Sequence, residues 1–373
     1  MASGLYLHIP FCERRCHYCD FNTYEGMLDL KGRYVEALLS DMQLSDLEGP
    51  LDAIYFGGGT PSLLDPSAIG RLIEAAIARY GLEENAEVTL EANPGTADLT
   101  RFRDYRAAGV NRLSMGFQAA QDSHLLSLGR IHSAAQSEEA WRLGREAGFS
   151  NMSLDLMFGL PKQSMDEWKQ SLDWALAMAP DHVSFYGLTI EAGTRFGHLS
   201  SLGQLPLPNE DLQADMYEWG LARLGKAGLK QYEISNFSRP GREAIHNQLY
   251  WLNQPTLGLG AGAWSFDGRV RSMRAKAPLI YIEAIKDGRV PLAESEALVG
   301  RAAMGEAAWL GLRRLEGINL EKWQAKQGIS LMDFCGDQAK ILINQGLLEL
   351  KGGFLKLTPK ALPLANEVFS ALV

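Results

Sequence analysis

Three of the chain's four cysteines lie near its start, as Cys12, Cys16 and Cys19 in a C-x3-C-x2-C arrangement. Three thiolates on one short loop can bind three irons of a [4Fe-4S] cluster and leave the fourth iron open to a ligand that is not protein. Ferredoxin patterns differ, because four cysteines there complete the cluster for electron transfer. The residue types also permit a zinc site with His8 or His17 as the fourth ligand, since Cys3His sites exist. The spacing favours the cluster, and its open iron would be the place where chemistry occurs.

Composition and charge limit the class of protein. Of the 373 residues, 46% are hydrophobic and 22% charged, so the chain can bury a core large enough for one large domain and a smaller one. A net charge of −9 argues against nucleic acid as a partner, because binding phosphates requires a basic surface. No apolar run approaches the roughly 20 residues that cross a bilayer, and residues 1–11 lack the basic start of a secretion signal. We therefore expect a cytoplasmic protein acting on small molecules, with Cys335 as a buried thiol.

The elements that would position the cysteines follow from hydrophobic periodicity. Residues up to about 235 alternate short apolar strands with amphipathic helices, which predicts an α/β fold with a parallel sheet. A helix that begins with Asp65 as N-cap and Pro66 at its first position follows the second strand. The periodicity does not distinguish a doubly wound sheet from a barrel. The predicted strands are residues 5–9, 53–56, 87–91, 112–116, 152–156 and 183–188.

Two predicted helices have an apolar face at helical spacing. The face of the first helix is formed by Ile69, Leu72, Ile73, Ala76, Ile77 and Tyr80. The face of a later helix is formed by Leu212, Met216 and Trp219. We expect both faces to pack on the sheet.

Glycine and polar residues stand at the ends of the predicted strands. Residues 57–61, Gly-Gly-Gly-Thr-Pro, follow the second strand; glycines let the backbone approach a ligand, but no Lys-Ser/Thr follows as in a P-loop. Glu91, Gln118 and Asp155 end or follow the third, fourth and fifth strands. Taken singly, each could be an ordinary turn or cap. In a barrel, such residues converge on one mouth, where ligands bind.

These motifs together resemble the radical SAM superfamily. The resemblance implies a partial (β/α)6 barrel with a cluster whose unique iron binds S-adenosylmethionine (SAM) through the amino and carboxylate groups of SAM. It also implies that SAM is cleaved to give a 5'-deoxyadenosyl radical. Arg130 is a candidate for the SAM carboxylate by charge complementarity, and a surface ion pair is the alternative. The expected cluster ligands are Cys12, Cys16 and Cys19. The expected SAM-binding residues are Tyr6, Tyr18, Gly58, Gly59, Thr60, Glu91, Gln118, Arg130 and Asp155.

Further runs narrow the resemblance to one family over nearly the whole chain. They are similar to those of oxygen-independent coproporphyrinogen III oxidases and their close relatives. In the oxidases a further cysteine follows two residues after the third, and a long segment precedes the cluster; here Phe21 stands at that position and eleven residues precede Cys12. Both departures disfavour decarboxylase activity. The runs are HIPFC, GGGTP, LEANP, MGFQ, DLMFGLP and YEISNFS.

A second run points to a different branch of this family. Residues 246–251, His-Asn-Gln-Leu-Tyr-Trp, resemble the H-N-x-x-Y-W motif of HemW-type haem chaperones. In a helix, Tyr250 lies one turn from His246, so an imidazole that could ligate haem iron stands beside an aromatic wall that includes Trp251. Without the resemblance, a partly buried histidine among core aromatics is the simpler interpretation. With it, His246, Tyr250 and Trp251 are the expected haem residues.

Three segments are expected along the chain: a radical SAM partial barrel with the cluster loop at 1–240, the haem motif with a connecting segment at 241–299, and a helical, winged-helix-like domain at 300–373.

A glycine run, Gly258, Gly260 and Gly262, lacks the register of a dinucleotide fingerprint and predicts close backbone packing. The last segment has nine Lys/Arg against seven Asp/Glu, too balanced for DNA binding, so we interpret it as a lid or docking domain.

The function that these expectations favour is a cytoplasmic haem chaperone. It would carry a [4Fe-4S] cluster and SAM, and it would pass haem as cargo to acceptor haemoproteins such as respiratory enzymes. An electron donor and transient contact with membrane proteins are further expected partners, and nucleic acid is not. The alternatives are a coproporphyrinogen III oxidase, which removes carbon dioxide from two propionates in porphyrin biosynthesis, and a radical enzyme that degrades or methylates a tetrapyrrole.

Overall fold

The computed structural model describes residues 2–96 and 98–372. The strands are β1 (Gly4–Ile9), β2 (Phe11–Cys12), β3 (Tyr24–Glu25), β4 (Leu51–Gly58), β5 (Leu82–Ala92), β6 (Arg112–Gln118), β7 (Met152–Phe158), β8 (His182–Gly187), β9 (Lys230–Glu233), β10 (Asn236–Ser238), β11 (Thr256–Leu259), β12 (Trp264–Phe266), β13 (Val270–Arg274), β14 (Leu292–Ala297), β15 (Ile318–Asn319), β16 (Leu348–Lys351) and β17 (Phe354–Leu357). The helices are α1 (Lys31–Leu44), α2 (Pro66–Tyr80), α3 (Leu99–Ala107), α4 (Asp122–Leu128), α5 (Ala134–Glu146), α6 (Met165–Ala177), α7 (Arg195–Ser201), α8 (Glu210–Lys226), α9 (Ile245–Trp251), α10 (Pro278–Lys286), α11 (Gly300–Leu312), α12 (Leu320–Gln327), α13 (Leu331–Asn344) and α14 (Ala365–Leu372).

The six predicted strands form a parallel run in the order β1-β4-β5-β6-β7-β8. Helices cross between them, which is why strand residues such as Leu7, Ile54 and Leu154 are fully buried. The strand predicted at 87–91 begins earlier, at Leu82. Its first residues extend beyond the core and show no apolar alternation, so the sequence pattern did not reveal them. The α/β expectation with six parallel strands is therefore confirmed.

The sheet continues on both sides of this run. β11 pairs in parallel with β1, and β12, β13 and β14 add to it in antiparallel fashion; β10 and β9 extend the other edge from β8. Within the described residues the sheet is open, with β14 and β9 at its edges, as in a partial barrel. The segment expected to connect two domains thus supplies four strands to the main sheet.

Helix α2 follows the predicted pattern with two differences. Five of its six predicted face residues are buried, but Ile77 is 42% exposed, because it lies at the margin of the apolar stripe. Asp65 occupies the N-cap position, but its side chain accepts no hydrogen bond from the helix, and its carboxylate lies 3.6 Å from Arg101 Nη1. In α8, Met216 is buried and Leu212 and Trp219 are half-buried.

The glycine run after β11 packs as predicted. A Cβ on Gly258 would overlap the Trp264 carbonyl oxygen, and one on Gly260, whose φ is +103°, would lie 2.6 Å from the His8 carbonyl oxygen. Only glycine fits this close approach of the β11–β12 turn to β1.

The C-terminal residues add helices α11 to α14 and a small sheet, β15-β17-β16, which includes the predicted hairpin. Burial raises the pKa of the Cys335 thiol to about 11. Among the described residues, no helix is both long and apolar enough to cross a bilayer.

Candidate functional site

The cysteine loop leaves the carboxyl end of β1 and is held by two other strand ends. Cys12, in β2, is buried, and Thr60 Oγ1, which follows β4, lies 3.8 Å from its Sγ. Arg130 donates from Nη1 to Cys16 Sγ at 3.5 Å and from Nη2 to the Gly116 carbonyl of β6 at 2.7 Å. The sheet therefore orients the loop through side chains that are distant in sequence.

The thiols of this loop are suited to bind a cation. Burial raises the pKa of Cys12 to about 11 and also raises the pKa of Cys19, so each thiolate is costly until a positive charge compensates it. Iron in a cluster would supply that charge. Within residues 2–96 and 98–372 no three His, Cys, Asp or Glu side chains converge as for a single metal ion, but a cluster distributes its thiolates over three irons.

The two histidines considered as a fourth zinc ligand have other partners. His8 Nε2 lies 2.9 Å from the Asn22 carbonyl oxygen, and its Nδ1 lies 3.0 Å from the Tyr6 hydroxyl. His17 Nδ1 lies 2.8 Å from the Ser127 carbonyl oxygen, while its Nε2 lies 2.9 Å from Arg195 Nη1. Both imidazoles are held by hydrogen bonds at each ring nitrogen, which disfavours the zinc alternative.

A cavity of about 450 Å³ opens beside the cysteines at the carboxyl ends of β4 to β8. The structure brings all the residues predicted for the cluster and SAM to this cavity except Tyr6. Those that line it are Cys12, Tyr18, Cys16, Cys19, Gly58, Gly59, Thr60, Glu91, Gln118, Arg130 and Asp155. We call it the strand-end cavity.

Glu91 lines the strand-end cavity and is held there by two donors. The Tyr55 hydroxyl donates to Oε1 at 2.7 Å, and the Gly58 amide donates to Oε2 at 3.2 Å. Burial nevertheless raises the pKa of Glu91 to about 7 and that of Asp155 to about 6. Two desolvated carboxyl groups of this kind are suited to accept hydrogen bonds from an ammonium or from ribose hydroxyls.

Two polar groups in the cavity have spare hydrogen-bonding capacity. Gln118 has a φ of +70°, a strained left-handed conformation for this residue, at a register shift between β6 and β7. Among the described residues, neither its Oε1 nor Arg130 Nε has a hydrogen-bond partner. Buried polar atoms without partners are uncommon, and here they fit a site that binds a polar ligand.

The triple glycine is required by packing against the cysteine loop. A Cβ on Gly59 would lie 2.6 Å from the Phe11 carbonyl oxygen and 3.0 Å from Cys12 Sγ. Gly58 has a φ of +113°, and a Cβ there would lie 2.5 Å from the His8 ring. These glycines allow the backbone after β4 to reach the cysteines.

Some lining residues of the strand-end cavity were not predicted. Tyr186, near the end of β8, lies in it, and Tyr55 orients Glu91 from the neighbouring strand. Tyr186 could have been found by the rule that identified Glu91, a polar residue near the end of a strand. Tyr55 could not, because its role depends on the pairing of β4 with β5.

The motif at 246–251 forms α9, and its three expected haem residues face different surroundings. His246 is 1% exposed, and its ring stacks on Tyr55 at 5.1 Å between centroids. Tyr250 lies on the same helix face, and its hydroxyl is 3.0 Å from His246 Nε2, as the spacing predicts. Trp251 points away, with the Arg313 guanidinium 4.4 Å from the centre of its ring.

A second cavity, of about 770 Å³, also borders the cysteine loop. Tyr6 and Tyr250 line it, as do residues 20–24 of the loop. Tyr6 was expected at the SAM site. It lines this cavity instead, and its ring stacks 6.0 Å from Tyr55, with which it is paired in the sheet.

Comparison with known proteins relates this architecture to one family. Residues 6–175 match the radical SAM superfamily, and residues 300–364 match the HemN C-terminal domain. The chain is 35% identical to the "Heme chaperone HemW" of Bacillus subtilis over 99% of this chain and 98% of that protein. It is 38% identical to the protein of the same name from Escherichia coli, over 82% of this chain and 83% of the other.

Two further comparisons extend this relation. The chain is 36% identical to the bovine "Radical S-adenosyl methionine domain-containing protein 1, mitochondrial" over its whole length and 87% of that protein. It superposes on the coproporphyrinogen III oxidase HemN of Escherichia coli with a TM-score of 0.87 at 22% identity, covering 100% of this chain and 90% of the other. At that identity the superposition shows the fold alone. The full-length similarity to the HemW proteins, together with the superfamily match, shows that the chain belongs to the HemW family of radical SAM proteins.

Proposed function

We propose that this protein is a cytoplasmic haem chaperone that binds haem and passes it to acceptor haemoproteins such as respiratory enzymes. The observation that carries the proposal is the H-N-x-x-Y-W motif of α9, which packs against β4, the neighbour of the strand that leads into the cysteine loop. The names of its relatives agree with this function.

The cofactors proposed for the strand-end cavity are a [4Fe-4S] cluster and SAM. Cys12, Cys16 and Cys19 would hold the cluster, which when bound supplies a one-electron reductant beside SAM. Glu91 and Asp155 would accept hydrogen bonds from SAM, and the residues that would also contact it are Tyr18, Gly58, Gly59, Thr60, Gln118 and Arg130. The spare hydrogen-bonding capacity of Gln118 and Arg130 supports this assignment.

The haem would bind at α9, through the motif residues His246, Tyr250 and Trp251. Tyr55 links this helix to the SAM site, because it donates to Glu91 while its ring stacks on His246. Residues 1–240 would form the cofactor domain and residues 241–299 the haem segment. Residues 300–373 would dock partner proteins, which include acceptors, an electron donor and, transiently, membrane proteins. The stacking of the Arg313 guanidinium on the Trp251 ring joins the haem segment to this domain.

The test uses protein purified anaerobically and reconstituted with iron and sulfide. Added haemin should bind in a one-to-one ratio with a Soret band, and the loaded protein should activate a haem-free acceptor enzyme. The variant His246→Ala/Tyr250→Phe should lose haem while retaining the cluster. A Cys335→Ala protein is the control, since that thiol lies in the C-terminal region and should affect neither property.

One outcome would favour the oxidase alternative. Conversion of coproporphyrinogen III to protoporphyrinogen IX by the parent protein, with SAM and a reductant, would replace the chaperone assignment. Phe21 stands at the position of the oxidases' further cysteine, and it is 63% exposed and lines both cavities. Because that cysteine is replaced, we expect no conversion.

A further inference from the structure

The cavity of about 770 Å³ beside β1 has a lining suited to a flat, largely apolar ligand with acidic groups. Its volume lies within the roughly 300–1,000 Å³ that is usual for small-molecule sites. We call it the aromatic cavity after its five aromatic residues, which are Tyr6, Phe21, Tyr24, Tyr250 and Trp264. Two cationic side chains, Arg15 and Lys276, also line it.

His246 and Tyr250 are placed differently with respect to this cavity. His246 is enclosed: Tyr6 and Tyr55 stack on its ring at 6.1 and 5.1 Å, and Gly4 packs beside Nδ1. Tyr250 lines the cavity, and its hydroxyl stands between the cavity and His246 Nε2, at 3.0 Å from that nitrogen. A ligand in the cavity would therefore meet Tyr250 before it could reach His246.

The other cavity residues with atoms that could bind iron are less available. Both ring nitrogens of His8 are hydrogen-bonded, to the Tyr6 hydroxyl and to the Asn22 carbonyl oxygen. The Tyr24 hydroxyl donates to Asn22 Oδ1 at 3.1 Å and to the Lys276 carbonyl oxygen at 3.0 Å. Tyr6 and Tyr250 each have a hydroxyl 3.0 Å from a histidine nitrogen, and Tyr250 is the one that belongs to the H-N-x-x-Y-W motif. Tyrosine is an established axial ligand of haem iron.

We propose that ferric haem binds in the aromatic cavity with Tyr250 Oη as its protein ligand, His246 as the positioning residue behind it, and Arg15 and Lys276 at the two propionates. The Tyr250 Oη–H bond breaks, an Oη–Fe(III) bond forms and the proton leaves to water in the open cavity, with no change of oxidation state. This inference rests on the proposed function, and it specifies where and how the haem is held.

The charges of the cavity rim agree with this orientation. Among the described residues, neither Arg15 nor Lys276 takes part in an ion pair, and both are exposed. Arg15 donates from Nη2 to the Cys19 carbonyl oxygen at 3.1 Å, which holds its guanidinium over the cysteine loop. Asp20 and Glu294 also border the cavity, so its lining carries two positive and two negative side chains.

The first experiment is a ferric haemin titration of the cluster-loaded protein, followed by absorption and resonance Raman spectroscopy. The parent should show a phenolate-to-iron charge-transfer band and an iron–phenolate stretching mode. Tyr250→Phe should lose both and bind haemin roughly tenfold or more weakly, because a charged ligand is removed. His246→Gln should keep the stretching mode at a shifted frequency, a change that general loss of stability would not produce.

Tyr80→Phe is the control. The Tyr80 hydroxyl donates to the Met42 and Ser45 carbonyl oxygens at 3.0 and 3.1 Å, so the variant removes a buried tyrosine hydroxyl away from the aromatic cavity. It should leave the haem spectrum unchanged. Iron and sulfide content checks that each variant is folded around its cluster.

The second experiment tests the propionates with exposed residues whose replacement should not affect folding. Arg15→Gln/Lys276→Gln should weaken haemin binding roughly tenfold or more, since two charge-assisted hydrogen bonds are lost, and should leave binding of haemin dimethyl ester unchanged. Equal weakening for both porphyrins would overturn the propionate assignment.

The outcomes separate this inference from the proposed function. If the parent binds haemin and delivers it to an acceptor but has no phenolate signature, or if Tyr250→Phe retains that signature, the ligand assignment is wrong and the chaperone function stands. If the parent binds no haemin at all, both fall together.

Discussion

Replacing Glu91 by glutamine should weaken SAM binding and stabilise the SAM-free protein at alkaline pH. Burial is the main cause that raises the pKa of Glu91 from its ordinary 4.5 to about 7, so the fold resists the ionised carboxylate. Because the folded pKa lies above the unfolded value, the carboxyl group costs no stability at low pH. The cost appears as the pH rises past 4.5, grows until about 7, and is constant above that.

The magnitude follows from the size of this rise. At 1.36 kcal/mol per pKa unit, the full cost of ionisation is about 3 kcal/mol, an upper bound because Glu91 is half-buried and solvent screens part of it. Glutamine keeps only one acceptor oxygen for the two donors, Tyr55 and Gly58, which offsets about 1 kcal/mol. Glu91→Gln should therefore be more stable than the parent by about 1–2 kcal/mol at about pH 8.

The assay is urea unfolding of the SAM-free parent and variant at about pH 5 and about pH 8, with isothermal titration of SAM at neutral pH. Binding should weaken by roughly 1.5–3 kcal/mol, the usual value of a charged hydrogen bond. Glu84→Gln, at an exposed position of the same strand, is the control and should change neither quantity. Equal destabilisation of Glu91→Gln at both pH values, or unchanged SAM affinity, would refute the reasoning.

Three further changes test other parts of the structure. Cys16→Ala should lose the cluster while Cys335→Ala keeps about four irons per chain, as iron and sulfide analysis would show; iron retained in the first variant would contradict the ligand assignment. Asp155→Asn should weaken SAM binding by roughly 1.5–3 kcal/mol in calorimetry, and an unchanged affinity would show that SAM lies elsewhere. Asp41→Ala should lower the free energy of unfolding by roughly 3–5 kcal/mol, because it leaves buried Arg274, 3.1 Å away, without its partner; a loss below about 1 kcal/mol in urea would disagree.

Much of the fold could be predicted from the sequence because its signals are local. Apolar runs separated by helical periods predicted β1 and β4 to β8, since burial on both faces of a parallel strand leaves a continuous apolar run. The spacing of His246 and Tyr250 in α9 likewise predicted their contact, because residues four apart share one face of a helix. The spacing of the three cysteines alone favoured a [4Fe-4S] cluster.

Contacts across the sheet were decided only by the tertiary structure. β11 lies beside β1 and the preceding α9 packs against β4, and no local pattern carries that order. Strand pairing also places Tyr55 between Glu91 and His246. Asp65 occupies the N-cap position that the sequence predicts, but its side chain pairs with Arg101, because a neighbouring helix supplies a charge.

The same distinction applies within the haem motif. The residue types of His246, Tyr250 and Trp251 were legible in the sequence, and all three were expected to face one ligand. In the fold, packing of α9 against β4 on one side and α11 on the other divides them among the core, a cavity and the C-terminal region. A linear motif determines which chemical groups are available; which of them a ligand can reach depends on how neighbouring elements cover the helix, and that is a property of the whole chain.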